Sequence, residues 1–557
     1  MEPTETQRNI IEHQGNVVVM ASPGSGKTYV ISEKIKEILK QDTLYDYQGV
    51  IAISYTRKAS AHLKNRSLEG GLSSKNSFFG TIDSFCLTQI ILGFGNYVIG
   101  YPQNEISPID IKDLPKERQK DFQWIITNHP DYDDIIEDEW KSIFDFYREG
   151  KVLIQSIELL ALRIFRGSQA CRNYIKARFK YVFIDEYQDA DTYTDELLRE
   201  FIALGLTGFV VGDKNQSIFG FAHKDSKYLQ GLIDNDDFTN FILSRNFRCA
   251  PSIINYSNRL LNDKCNLVES LYNEMYYVLV EGGEDNIADF LSYFIPLICK
   301  KYKISQLSEV AILVKNKRTE NLIDRALSIH HRLIETTVLD QDLNPCSRLY
   351  ALLLQFYFDH SIKLISILDE FIDYDELSIL GKKRLLELKD MIRNVKSDEI
   401  DNLLPLFSDV SKLLMPHQDE GLSMDKLKQV INDEKMLESY KPLSKDEIVL
   451  MTLHKSKGLE FDYVFHLNMN EWELPAKRPK NGSFEEPDYI SYEQDLDLHY
   501  VGITRARKVC FLIGSTYRTN SYGGTSLANK SEFLNINGLH DMRINLYYSN
   551  GKFEKME

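Results

Sequence analysis

Short runs of β-branched and apolar residues punctuate this chain, and helical spacing fills the stretches between them. Asn16-Val17-Val18-Val19-Met20 reads as a buried parallel strand. Behind it, Val30, Ile31, Ile35, Ile38 and Leu39 fall on one face of a helix. Tyr181-Val182-Phe183-Ile184 and Ala311-Ile312-Leu313-Val314-Lys315 read as further strands. Tyr147, Leu153, Ile157, Leu160, Leu162 and Ile164 predict helices in one interval. Leu352, Leu353, Leu354, Leu385, Leu386 and Leu388 predict helices in another. No repeat of fixed period appears, and residues 551–557 read as a frayed end.

The chain has 557 residues, enough for three to four domains at ~150 residues each. Hydrophobic residues make up 43% and charged residues 27%, a globular balance that excludes a mostly disordered or fibrous chain. No apolar run reaches the ~18 residues of a membrane helix, and the polar, acidic N-terminus is no signal peptide. Seven scattered cysteines with no C-x-x-C pair argue against a disulfide framework or a zinc ribbon. A soluble cytoplasmic protein is expected.

Net charge is −16, which excludes a uniformly basic nucleic-acid coat. It leaves room for a local basic channel. Residues 50–68, 161–181 and 498–531 carry bases and no acid. Solvated surface is the bland reading of each stretch, and a phosphate-facing channel on an acidic body is the functional one.

Two motifs carry chemistry on their own. The first strand enters Ala21-Ser22-Pro23-Gly24-Ser25-Gly26-Lys27-Thr28, a phosphate loop with Ala where the general pattern starts with Gly. Its backbone N–H groups would wrap the β-phosphate, Lys27 would reach the β/γ oxygens, and the Thr28 hydroxyl would ligate Mg²⁺. The second strand ends in Asp185-Glu186-Tyr187-Gln188-Asp189. Asp185 suits the Mg²⁺ environment, and Glu186 suits the base that activates water. ATP and Mg²⁺ are therefore the expected cofactors. Lys27 and Asp185 lie 158 residues apart, so something sizeable is inserted between them.

Further motifs follow in order: Tyr55-Thr56-Arg57-Lys58-Ala59-Ser60-Ala61, Gly80-Thr81-Ile82-Asp83-Ser84-Phe85, and Gly212-Asp213-Lys214-Asn215-Gln216-Ser217-Ile218-Phe219-Gly220-Phe221. Then come Arg245-Asn246-Phe247-Arg248, the block Met451 to Phe461 (MTLHKSKGLEF) and Tyr500 to Ala506 (YVGITRA). From Gln7 to about Arg507 the chain resembles the UvrD/Rep family of superfamily 1 DNA helicases. The resemblance implies an α/β fold of two RecA-like motor domains with parallel sheets, each carrying a mainly helical insertion. It places motor 1A at 1–89 and 176–245, insertion 1B at 90–175, motor 2A at 246–344 and 446–540, a shortened insertion 2B at 345–445, and a tail at 541–557.

The resemblance also implies residue roles. Gln7 would read adenine, Phe247 would stack on it, and Glu460 would meet the ribose. Gln216 would sense the γ-phosphate, with Arg248 and Arg505 as arginine fingers. A fixed guanidinium charge on a transferring phosphoryl group suits that role. Single-stranded DNA would cross the tops of both motors in the 3′→5′ sense. Tyr55, Phe219 and Phe221 stand where stacking aromatics belong, although core packing is the alternative for each. Thr56, Arg57, Thr81, Thr452 and His454 match phosphate-side contacts.

The departures concern DNA grip. Phe221-Ala222-His223 replaces Trp-Arg-Gly, Tyr29 replaces an arginine, and Asp495-Leu496-Asp497-Leu498 replaces an acid-Arg-Arg-Leu stretch. Intact ATPase chemistry with weak or partner-dependent unwinding is expected. Residues 351–440 carry 18 acids against 11 bases, a poor surface for phosphate and a candidate protein interface or solvated cap. Only 50 residues follow Arg507, too few for a fused nuclease domain. Short chains of this layout resemble the helicase subunit of the Gabija anti-phage system, which works with an OLD-family nuclease. Two functions are thus expected: a 3′→5′ helicase or translocase, or a DNA- and nucleotide-sensing ATPase that regulates a partner nuclease.

Overall fold

The computed structural model describes residues 2–41, 44–218, 220, 224–368, 370–371, 377–480, 483–519 and 524–556. Two parallel sheets organise them. The first joins β1 (Val17–Ala21), β2 (Gly49–Ile53), β3 (Phe78–Gly80), β4 (Phe179–Ile184), β5 (Thr207–Gly212) and β6 (Thr239–Leu243). Their order is β3-β2-β4-β5-β1-β6, and every pair is parallel.

The second sheet joins β7 (Met275–Val280), β8 (Val310–Val314), β9 (His331–Leu333), β10 (Ile448–Thr452), β11 (Phe461–His466), β12 (Ala506–Ser515), β13 (Ile544–Ser549) and β14 (Lys552–Lys555). Their order is β9-β10-β8-β11-β12-β7-β13-β14. All pairs are parallel except the last. The expected frayed tail is therefore corrected. Leu546 and Tyr548 pack on the core beneath the sheet, and that apolar burial holds the chain end in place.

Both sheets are covered on both faces, which is why their strands read as unbroken apolar runs. All five residues of β8 are fully buried. Helix α1 (Glu5–Glu12) opens with a capping box between Thr4 and Gln7. Helix α2 (Lys27–Lys40) buries Val30, Ile31, Ile35, Ile38 and Leu39 against β1, as its spacing predicts.

The two inserted regions attach differently. In the first, Phe122, Ile143, Phe146, Leu160 and Ile164 belong to one continuous core with Ile51, Ile53 and Val182 of the first sheet. In the second, Leu349, Leu353, Leu354, Leu388, Phe407 and Val430 form a core of their own. Two local expectations are corrected there. Leu153 ends a three-residue strand, Lys151–Leu153, instead of joining a helix. Leu386 points outward and is 53% exposed, because only Leu385, Leu388 and Ile392 of its helix reach the core.

The basic stretch 161–181 is also not a free channel. Arg163 donates to the Tyr132 hydroxyl, and Arg166 pairs with Glu196 and Glu200. Arg172 donates to the carbonyls of Phe165 and Arg166, and Arg178 to Gln89 and the Asn76 carbonyl. These cations pin the first inserted region to itself and to the first sheet. Among the described residues, no helix is long and apolar enough to cross a membrane.

The separate core predicts separate unfolding. Leu354→Ala, at a fully buried position, should destabilise the second inserted region by about 2–5 kcal/mol. Hydrogen exchange should speed up there and stay unchanged in the first sheet. Equal loss of protection in both would show one cooperative unit.

Candidate functional site

A cleft of about 1550 Å³ lies between second-half residues that directly precede β11 and β12, Glu460 and Arg505, and the carboxyl ends of the first sheet's strands. Parallel sheets bind ligands at that end. Gln7, Pro23, Gly24, Gly26, Lys27, Thr28, Asp185, Glu186 and Gln216 line it from the first half. Phe247, Arg248, Glu460 and Arg505 line it from the second. Ala21, Ser22 and Ser25 lie behind this surface and shape the loop. Ser22 N–H donates to the Leu243 carbonyl at 2.9 Å, and Ser25 N–H and hydroxyl both donate to the Ser22 carbonyl.

The loop needs its two glycines. Gly24 sits at φ +68°, and a Cβ there would meet Arg248 Cβ at 2.5 Å. Gly26 sits at φ +93°, and its Cβ would meet Gln7 Nε2 at 2.7 Å. Left-handed backbone and close approach both exclude a side chain. Gln7 Nε2 donates to the Ser25 carbonyl at 3.1 Å, and its Oε1 accepts from Thr4 N–H at 3.0 Å. One amide hydrogen and one lone pair remain for a ligand.

Charges are concentrated and buried. Lys27 Nζ lies 3.6 Å from Glu186 Oε2, and no acceptor among the described residues reaches it. Glu186 adopts φ +56°, ψ +40°, a left-handed conformation that costs a non-glycine residue about 1–3 kcal/mol. Its Oε2 accepts from Gln188 Nε2 at 2.5 Å, and its backbone N–H donates to Asp185 Oδ1 at 3.0 Å. Burial, then the adjacent Glu186 carboxylate, raises Asp185 to about 7. Burial would also raise Glu186, but Lys27, Lys457, the Gln188 amide and Arg505 together hold it down to about 2. One carboxyl of the pair thus keeps its charge at the expense of the other.

The second half reaches across. Arg505 is 2% exposed and donates to the carbonyls of Val501 and Leu459. Its Nη2 also donates to Gln216 Oε1 at 3.3 Å. Gln216 Nε2 in turn donates to Asp213 Oδ2 at 2.7 Å. Burial and Arg248 lower Arg505 to about 10, still cationic at neutral pH. Arg248 Nη2 lies 2.5 Å from Glu460 Oε1, so these two expected site residues face each other. Phe247 is 45% exposed beneath the Arg245 guanidinium, and its N–H donates to the Gly24 carbonyl.

The expected DNA residues are only partly gathered. Tyr55, Thr56 and His454 line the main cleft. Tyr55, Thr56, Arg57 and Thr81 line a neighbouring cavity of about 1070 Å³. Arg57 Nη2 donates to the Asp342 carbonyl at 3.1 Å, which turns it toward the second half. Thr81 caps the helix Ile82–Phe85 through Ser84 N–H. Thr452 lines neither cavity, and its hydroxyl accepts from Lys455 N–H. Burial, then Lys315, lowers His454 below the usual imidazole range. Phe219 and Phe221 lie outside the described residues.

Lys457 and Asn246, inside the quoted motifs but given no role by them, also hold the site together. Lys457 Nζ contacts both Asp189 Oδ2 and the Gln216 carbonyl at 2.5 Å, binding the halves together. Asn246 Oδ1 accepts from Arg248 and Cys249 N–H and packs where a Gly24 side chain would go. Their signal was their place within motifs. Their function is set by contacts 268 and 222 residues away in the chain, which spacing does not display.

Comparison with known proteins agrees with this geometry. The model of the UvrD/REP helicase N-terminal domain matches residues 3–145 and 125–236. That of the UvrD-like helicase C-terminal domain matches 360–517. The Gabija protein GajB of Bacillus cereus (strain VD045) is 26% identical over 546 residues, covering 93% of this chain and 96% of that protein. DNA helicase II of Haemophilus influenzae is 23% identical, covering 89% and 81%. The ATP-dependent DNA helicase PcrA of Bacillus subtilis (strain 168) is 23% identical, covering 93% and 83%.

Gly24→Ala should lower affinity for a non-hydrolysable ATP analogue at least tenfold, read by fluorescence titration. Gly205→Ala carries similar left-handed strain at φ +103° with nothing within 4 Å, and should leave that affinity unchanged. Equal effects would mean that strain alone, and not the approach of Arg248 and Asn246, matters.

Proposed function

Because the chain belongs to the UvrD/REP helicase family, we propose that it is an ATP-driven motor that moves 3′→5′ on single-stranded DNA. The observation that carries this reading is the Gln216–Arg505 hydrogen bond across the cleft. A group that touches the γ-phosphate from one half is thereby tied to a cation of the other half. Hydrolysis at that point would change the separation of the two halves, and a translocating motor needs that coupling.

The residues fit a magnesium nucleotide. Lys27 Nζ is buried with its hydrogen-bonding capacity unspent, and the glycines let Arg248, Asn246 and Gln7 close tightly on the loop. Thr28 and Asp185 would hold the cation, which supplies charge neutralisation on the phosphates when bound. Glu186 orients and deprotonates the attacking water. Arg248 exchanges Glu460 for the γ-phosphate, and Arg505 stabilises the charge that develops there. Gln7 and Phe247 hold the base and Glu460 the ribose. Tyr55 offers a stacking face, and Thr56, Arg57, Thr81, Thr452 and His454 the phosphate-side contacts.

Likeness to GajB supports a role in defence. We place the chain in the cytoplasm beside a separate nuclease of the OLD family. A second reading, a sensing ATPase that regulates this partner with little unwinding, is favoured by one observation. Lys426 of the second inserted region contacts Asp113 of the first at 2.9 Å and Asp342 at 3.1 Å, while Arg57 is held by the Asp342 carbonyl. Strand access would then require a partner to open that contact.

A short single strand should stimulate ATP hydrolysis by the purified chain. Glu186→Gln should keep nucleotide binding and lose turnover by about 10²–10⁴. Turnover that ignores DNA would favour the sensing reading, and normal turnover in Glu186→Gln would remove Glu186 as the base.

A further inference from the structure

Among the described non-glycine residues with positive φ, Trp472 is the one with a bulky aromatic ring, at φ +71°. Such a conformation is a real outlier for a large side chain and persists only where the surroundings enforce it. The backbone on either side is fastened. Glu471 N–H donates to the Asn529 carbonyl at 2.9 Å, and Glu473 N–H to the Asn470 carbonyl at 3.2 Å. Lys315 Nζ donates to the Glu473 carbonyl at 2.6 Å, and Asn316 Nδ2 to Glu473 Oε2 at 2.9 Å. The ring at the apex of this turn is half-buried. A core contact does not call for strain of this kind, since a left-handed turn accepts glycine at no cost.

The setting mixes charges, with Glu471 and Glu473 beside the ring, and lies at the carboxyl end of β8 and β11. The Arg518 guanidinium stands 5.8 Å from the Trp472 ring centre. Lys315 joins this turn to the main cleft. Its Nζ also pairs with Asp495 at 2.5 Å, and both charges act on His454. Arg318 and Arg518 both act on the Glu473 carboxylate. A half-buried aromatic ring with an arginine beside it is chemistry that captures single-stranded nucleic acid. The bases stack and the phosphates meet the cation.

We infer that Trp472 is a base-stacking platform for single-stranded DNA on the second half of the motor, with Arg518 serving its phosphates. This rests on the single-strand motor reading above. It extends the nucleic-acid track to a turn that none of the motifs covers, and it supplies an aromatic grip on the second half.

The test follows binding of oligo(dT) by anisotropy of a labelled strand and by intrinsic fluorescence. The chain has three tryptophans, and Trp124 and Trp140 lie in the first inserted region. Oligo(dT) should quench emission in the wild type, and the quench should saturate together with the anisotropy. Trp472→Gly should abolish the quench and weaken binding about 5- to 100-fold. Its thermal midpoint should hold, because glycine relieves the turn. Trp472→Phe should keep much of the affinity. Binding with no quench and no change in Trp472→Gly overturns this inference and leaves the motor reading intact. A large fall in the midpoint of Trp472→Gly also overturns it, as a packing role would. A wild type that binds no single strand overturns both readings.

Discussion

Two adjacent carboxylates buried at the end of one strand impose the arrangement of everything around them. A buried charge is retained only with counter-charge and hydrogen bonds close by. Asp185 and Glu186 draw that compensation from both halves of the chain: Lys27 from the phosphate loop, and Lys457 and Arg505 from the second sheet. Neither half satisfies the site alone. The left-handed turn at Glu186, the glycines opposite and the buried guanidinium of Arg505 all go with fitting these charges into one cleft. A bound polyphosphate would replace part of that compensation, so occupancy of the cleft and the spacing of the halves are physically linked.

The sequence made the strands and the nucleotide loop legible for a simple reason. A parallel strand buried on both faces has no polar positions, and a phosphate loop needs glycine where φ is positive. Both constraints act on residues adjacent in the chain. Val17 to Ala21, Val310 to Val314 and Gly24 to Thr28 were therefore readable. The ends of the inserted regions were harder. Leu386 and Leu385 are chemically identical, and only the packing direction of their helix decides which one faces water. The end at residues 551–557 was misread because Lys552–Lys555 is exposed and has no apolar run of its own; it is a strand only through its pairing with β13, whose Leu546 and Tyr548 meet the core.

Charge was the least legible property. The arginines of residues 161–181 looked like a phosphate surface because a sequence displays side chains without their partners. Their acceptors are carbonyls, carboxylates, a tyrosine hydroxyl and a side-chain amide, up to 102 residues away. Arg57 shows the same limit at a predicted contact, since its acceptor, the Asp342 carbonyl, belongs to the distant half. Residue type and motif position named residues that the fold gathers on one cleft. The direction in which each cation points required the fold.

The neck of the second inserted region has a consequence for how such chains diverge. Its two connecting strands of chain are laced together at the base. The Thr337 hydroxyl meets the Tyr440 hydroxyl, and Arg332 spans the Glu438 carbonyl and the Glu447 carboxylate. Entry and exit points that are fixed side by side make the region a module on a short stalk. Its contents can be lengthened, shortened or exchanged while the sheet beneath feels the same two anchor points. The first inserted region, which shares its core with the sheet, has no such freedom. Changes of partner or of regulation across evolution are therefore cheapest to write into the stalked module.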